Sequence, residues 1–202
     1  MLEEKVRPIH QKACVDPLVN RIGSYVRPNT ITLLSALLGL AVIPLLTVGA
    51  WGWAVVFLLV SGYCDTLDGS IARYRDLSSD WGSVLDIVCD RTVEWAVLFA
   101  IWLQAPEERA LGVILMLGSI LLCITSFLVV GIFSENRSDK SFHYSPGLVE
   151  RAEAFAFFIV MMIWPQSFRY LWPLFTILVL WTTLHRLRQF YRQAYPQSQL
   201  LS

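Results

Sequence analysis

The chain has 202 residues, of which 55% are hydrophobic and only 16% charged, with a mean hydropathy of +0.54 and no formal net charge. Soluble domains carry about 25% charged residues, so this composition excludes an ordinary water-soluble globule, and a balanced charge supplies no overall field for gathering nucleic acid. The apolar stretches are continuous runs of Leu, Val, Ile and Phe without dyad alternation, which sets aside a membrane β-barrel and leaves helices to satisfy the backbone in lipid.

Residues 1–30 interleave Val6, Ile9, Val15, Leu18, Val19, Ile22 and Val26 with Lys5, Arg7, Lys12, Arg21 and Arg27, the make-up of an amphipathic helix lying among lipid headgroups. With Glu3 and Glu4 at the start and no apolar core, this segment does not read as a cleavable signal. Apolar runs follow near residues 32–50, 52–64, 82–103, 110–133, 152–164 and 171–185. Most are long enough with their flanks to cross a hydrocarbon core that needs about 20 helical residues. The expected fold is an all-α membrane protein, a single domain with six transmembrane helices over residues 31–190 and a cytoplasmic tail over 191–202.

Basic residues cluster on one set of connections: before the first run, at Arg73 and Arg75, at Arg137, Lys140 and Arg151, and at Arg186, Arg188 and Arg192. The other set holds only Arg109 and Arg169, so the positive-inside rule places both termini on the cytoplasmic side, most simply of a prokaryotic inner membrane. Cys14, Cys64, Cys89 and Cys123 show no paired spacing and read as small apolar packers. Trp51, Trp53, Trp102, Trp164 and Trp172 fall at run ends and read as interfacial belt residues.

Four carboxylates stand where apolar runs end: Asp65 and Asp68 three apart, Asp86 and Asp90 four apart, each pair on one face of its own helix. A carboxylate deep in a bilayer costs at least about 2.5 kcal/mol, so such a group needs cations, water or a role. The connection near residues 74–80 is short, which makes the two helices antiparallel neighbours and gathers all four at the cytoplasmic end. One or two hard divalent cations, Mg²⁺ or Mn²⁺ rather than zinc, would neutralise them. Gly69, Ala72 and Gly82 form a small face suited to close approach of a ligand or of another helix. Arg73 offers a planar fork for a phosphate oxygen, or alternatively a cytoplasmic anchor. A cation transporter is the competing class for a carboxylate cluster in a bundle, but neither repeats nor discontinuous helices are evident.

The run Asp65-x-x-Asp68-Gly69-x-x-Ala72-Arg73, eight residues, Gly82-x-x-x-Asp86-x-x-x-Asp90 resembles the signature of the CDP-alcohol phosphatidyltransferase family at all of its specified positions. Pro28-Asn29-Thr30-Ile31-Thr32 is similar to the family's entry to its first span. The resemblance implies transfer of a phosphatidyl group from a CDP-linked lipid, usually CDP-diacylglycerol, to the hydroxyl of a small alcohol, with release of CMP. It implies metal binding by Asp65, Asp68 and Asp86, with Asp90 as general base and further metal contact, around a pair of Mg²⁺ or Mn²⁺ ions. Gly69, Ala72 and Arg73, with Asn29 and Thr32, would then hold the CDP moiety, and the enzyme would be a homodimer.

For the acceptor, Gly147-x-x-Glu150-Arg151-x-Glu153 resembles a stretch in members that use inositol phosphate, which makes Arg151 the first candidate for its phosphate and Arg186 the second. The basic pair those members carry at the end of the fourth span has no counterpart in Ser126-Phe127-Leu128-Val129-Val130. A phosphorylated alcohol is therefore set beside serine or free inositol as acceptor. Residues 134–146 form a polar stretch on the same side, a lid or a merely exposed loop.

Overall fold

The computed structural model describes residues 15–23, 25–135 and 151–194, and every regular element among them is helical. In chain order these are α1 (Asp16–Ile22), α2 (Pro28–Leu40), α3 (Val42–Thr47), α4 (Trp51–Tyr74), α5 (Asp80–Leu103), α6 (Pro106–Glu135), α7 (Arg151–Ile163), a 3₁₀ turn (Pro165–Ser167) and α8 (Phe168–Ala194). The 1–14 part of the expected amphipathic segment and residues 136–146 of the polar stretch lie outside the described residues.

Each apolar run falls on helix. The first is broken after Leu40, because Pro44 offers no N–H to the Leu40 carbonyl and its ring crowds that oxygen. By length and composition, Pro28–Thr47, Trp51–Tyr74 and Pro106–Ser134 are able to cross a membrane. The other three expected spans fall on α5, which carries Asp80, Asp86, Asp90, Arg91 and Glu94, on α7, whose described part has 13 residues, and on α8, which ends in Arg186, Arg188 and Arg192.

The helix ends follow local chemistry. Arg27 is extended, as a residue before proline must be, and Pro28 opens α2 at a position where its missing N–H costs nothing. Gly49, at φ 77°, closes α3: its N–H donates to Leu46 and that of Ala50 to Leu45. The same pattern ends α4 with an aspartate in place of glycine. Asp76 sits at φ 52° while its N–H reaches Arg73 O and the Leu77 N–H reaches Ala72 O. Ser79 then caps α5, its Oγ accepting from the Gly82 N–H at 3.1 Å.

The chain divides into two compact units. In the unit made of residues 1–110 and 158–165, α2 packs against both α4 and α5, and α3 continues the same contacts. α4 and α5 come together at the site, as the short connection between them leads one to expect, and α2 packs along both. Two close approaches hold α2 there. Ser35 and Ser61 donate to each other's backbone carbonyl at 2.8 and 2.9 Å, and Gly39 faces Val93 so tightly that an added Cβ would stand 2.5 Å from Val93 Cγ2. Small residues permit such approach in helices that lack a hydrophobic drive to associate.

Val19 of α1 and the preceding Val15 are buried with Ile31, Cys64, Leu67 and Ile71, so this segment packs on α4. Arg75 adds a clamp by donating to Val26 O at 3.2 Å. In the second unit, residues 111–157 and 166–202, Gly112 lies under Phe168 and Trp172, and Phe157 meets Phe175 edge-on at 5.4 Å. Cys64 and Cys89 are buried and Cys123 is half-buried; of the expected belt residues Trp51, Trp53 and Trp164 are exposed, whereas Trp102 and Trp172 are half-buried.

Candidate metal centre

α4 carries Asp65 and Asp68 one turn apart, and α5 presents Asp86 toward them. One carboxylate oxygen from each of Asp65, Asp68 and Asp86 lies within 4.8 Å of the others. Asp68 is buried and the other two are half-buried. A third helix joins the group, since Thr32 of α2 donates its hydroxyl hydrogen bond to Asp68 Oδ2. All-oxygen donors at this spacing suit a hard divalent ion and fit Mg²⁺ or Mn²⁺.

Asp90 stands apart from that trio. One helical turn beyond Asp86, it has one oxygen buried and the other 3.8 Å from the Arg91 guanidinium. Arg91 is held in turn by the buried Glu94, at 2.7 Å. Neither residue belongs to the aspartate signature. Their i, i+3 spacing inside an apolar run was the available signal, because a buried charge needs a counter-charge one turn away.

The remaining residues of the signature lie close by on the same two helices. Among the described residues only Arg73 lies within 4 Å of where a Cβ on Gly69 would be, with Nη1 at 3.4 Å. Arg73 is exposed, donates to Ser70 Oγ at 3.2 Å, and follows the half-buried Ala72. On α5, Gly82 faces Ser79 Oγ and Asn29 Oδ1, the latter 3.5 Å from an added Cβ. Asn29 thus sits against the start of α5 and Thr32 against Asp68. Both sequence candidates from the first span are tied to the aspartate helices.

The acceptor candidates belong to the second unit. Arg151 opens α7 with its guanidinium carbon 5.3 Å from the Phe155 ring centre and its Nη2 buried. Arg186 is no loose anchor. Its Nη1 donates to Cys123 O at 2.9 Å and Ser126 Oγ at 3.1 Å, and the guanidinium carbon lies 5.3 Å from the Phe127 ring centre. The α6 segment that lacked a basic residue of its own therefore receives one from α8.

A model of the CDP-alcohol phosphatidyltransferase family matches residues 25–186. This chain belongs to that family. Inner membrane protein YnjF of Escherichia coli K12 is 31% identical over 193 residues, covering 92% of this chain and 91% of that protein. A phosphatidylinositol phosphate synthase of Corynebacterium glutamicum is 31% identical over 135 residues, covering 63% of this chain and 58% of that protein. In fold, this phosphatidyltransferase is similar to the Mycobacterium tuberculosis phosphatidylinositol phosphate synthase PgsA1. The crystal structure of PgsA1 with manganese and citrate has a TM-score of 0.69 at 20% identity, covering 86% of this chain and 85% of that one. The structure of the same protein with CDP-DAG bound gives 0.62 at 20% identity, covering 88% and 94%. This CDP-alcohol phosphatidyltransferase is accordingly a membrane transferase of phospholipid synthesis, with multiple apolar helices.

Proposed function

We propose that the enzyme transfers the phosphatidyl group of CDP-diacylglycerol to the hydroxyl of a small phosphorylated alcohol, releasing CMP, at a divalent-metal site facing the cytoplasm. The observation that carries this reading is the convergence of Asp65, Asp68 and Asp86 from two helices, with carboxylate oxygens within 4.8 Å of one another. These residues would hold the ions, with Asp90 contributing at the margin. When bound, the ions neutralise the diphosphate and the departing CMP and polarise the phosphorus under attack. A pair of Mg²⁺ or Mn²⁺ ions fits the donor set, and the manganese of the similar PgsA1 structure supports that choice.

The chain's own residues supply the rest. Gly69 leaves open space beside Arg73, whose fork suits a phosphate oxygen of the CDP moiety, with Ala72 continuing the small surface. Asn29 would line the same pocket from the start of α2. Asp90, outside the carboxylate trio, is assigned the general-base role toward the acceptor's proton on the strength of its match to the family signature. Arg151 and Arg186 are the assigned anion contacts for the acceptor, on the strength of their resemblance to residues of inositol phosphate-using members. The similarity to three phosphatidylinositol phosphate synthases favours a phosphorylated acceptor over serine or free inositol.

The deciding experiment is an acceptor screen with purified protein, Mn²⁺ and CDP-diacylglycerol, scored by CMP release and by lipid product. Release that depends on a phosphorylated alcohol is the expected result. Release with serine or free inositol alone would overturn the acceptor assignment while leaving the reaction class intact.

A further inference from the structure

We infer that Thr32 is a positioning residue of the metal centre, holding Asp68 in its ligating orientation, and that α2 is the strut which sets the distance between the carboxylates of α4 and α5. This rests on the metal-site reading above. It differs from a role for Thr32 in binding the CDP moiety, which the family resemblance alone suggests.

The geometry points this way through independent contacts. Thr32 is 4% exposed and Asp68 5% exposed, so their hydrogen bond is made out of water. A buried hydroxyl-to-carboxylate bond fixes the rotamer of the acceptor side chain, and partners that orient ligating carboxylates act on affinity through that orientation. On α2, Thr32, Ser35 and Gly39 share one face at i, i+3 and i+7. The first engages Asp68, the second is bonded reciprocally to Ser61 on α4, and the third is pressed on Val93 of α5. A single helix face therefore registers both aspartate helices. The Thr32 hydroxyl also lies 3.3 Å from Pro28 O, but it has a single proton and the buried carboxylate is the stronger acceptor, so Thr32 acts on the metal through Asp68.

The test uses the full-length protein in detergent, with Mn²⁺ affinity measured by calorimetry in the absence of CDP-lipid, followed by kcat and KM for CDP-diacylglycerol. Thr32→Val keeps the shape and deletes the donor, and is expected to weaken Mn²⁺ binding about 10–100-fold, whereas Thr32→Ser stays within about threefold of the unaltered protein. Unchanged Mn²⁺ affinity in Thr32→Val with a raised KM for CDP-diacylglycerol would make Thr32 a nucleotide contact and overturn the proposal. If Thr32→Val does not fold, Thr32→Cys, a weak donor of similar size, is expected between the two. Binding by Thr32→Cys equal to the unaltered protein would overturn the proposal as well. Failure of the unaltered protein itself to bind Mn²⁺ would remove the metal-site reading and this inference together, a result distinct from the other two.

Discussion

Ser35 and Ser61 each donate a hydrogen bond to the other's backbone carbonyl, with their hydroxyl oxygens 3.1 Å apart in a fully buried contact between α2 and α4. Both donors satisfy an already helical carbonyl, so the pair adds a specific lateral tie without orphaning any backbone group. Interhelical bonds of this kind average about 0.6 kcal/mol and reach about 1.7 in membrane bundles. Ser35→Ala and Ser61→Ala, read by unfolding in detergent, are each expected to cost an amount in that range, and the double variant to lose roughly the sum, because each hydroxyl bonds a backbone carbonyl that the other substitution leaves in place. Single variants as stable as the unaltered protein would mean that the reciprocal bonds contribute nothing.

Gly39 offers a sharper probe of the same interface. A Cβ there would meet Val93 Cγ2 at 2.5 Å and Cγ1 at 2.8 Å, closer than real side chains come. Overpacking of this sort costs about 1–3 kcal/mol, so Gly39→Ala is expected to be destabilised by that amount and to lose Mn²⁺ affinity as α2 shifts. Val93→Ala opens the space the new methyl needs. The double variant should recover most of the stability of Val93→Ala alone, as measured by thermal unfolding with and without Mn²⁺.

Much of this was legible in the sequence, for identifiable reasons. The aspartate spacing across two helices dictates a shared end, and Asp65, Asp68 and Asp86 do converge there. The packing of α2 along both α4 and α5 was not legible, because a short connection proves proximity of helix ends and says nothing about what packs along their length. Thr32, Ser35 and Gly39 did form a readable small-residue stripe, but only tertiary packing shows that it faces two helices at once. The ties of Arg186 to Cys123 and Ser126 were hidden too, since they join positions about sixty residues apart in sequence.

On the proposed assignment, the carboxylate trio serves metal binding and Asp90 serves turnover. Asp86→Asn removes a charged ligand from the trio, and weakened Mn²⁺ binding together with lost CMP release is expected. Asp90→Asn should keep Mn²⁺ and CDP-diacylglycerol binding largely intact while CMP release falls by a factor on the order of 10²–10⁴, the usual contribution of a general base. Calorimetry and CMP release on the two variants, side by side, check this. Near-normal turnover by Asp90→Asn would contradict its assignment as the base.

Arg186 makes the acceptor reading testable apart from the metals. Its Nη1 donates to both Cys123 O and Ser126 Oγ while the guanidinium carbon lies 5.3 Å from the Phe127 ring centre, which fixes the side chain and leaves the other guanidinium nitrogens for a further acceptor. If this side chain also contacts the phosphate of an acceptor, Arg186→Lys loses both the fork and its fixed orientation. A hydrogen bond to a charged group is worth about 1.5–3 kcal/mol, so KM for the phosphorylated acceptor is expected to rise about 10–100-fold with KM for CDP-diacylglycerol unchanged. Ser126→Ala removes only one of the guanidinium's supports and should raise the acceptor KM by a smaller factor. Steady-state kinetics with each substrate varied in turn distinguish the cases: a loss of thermal stability with neither KM altered would show Arg186 to be a structural tie between α6 and α8.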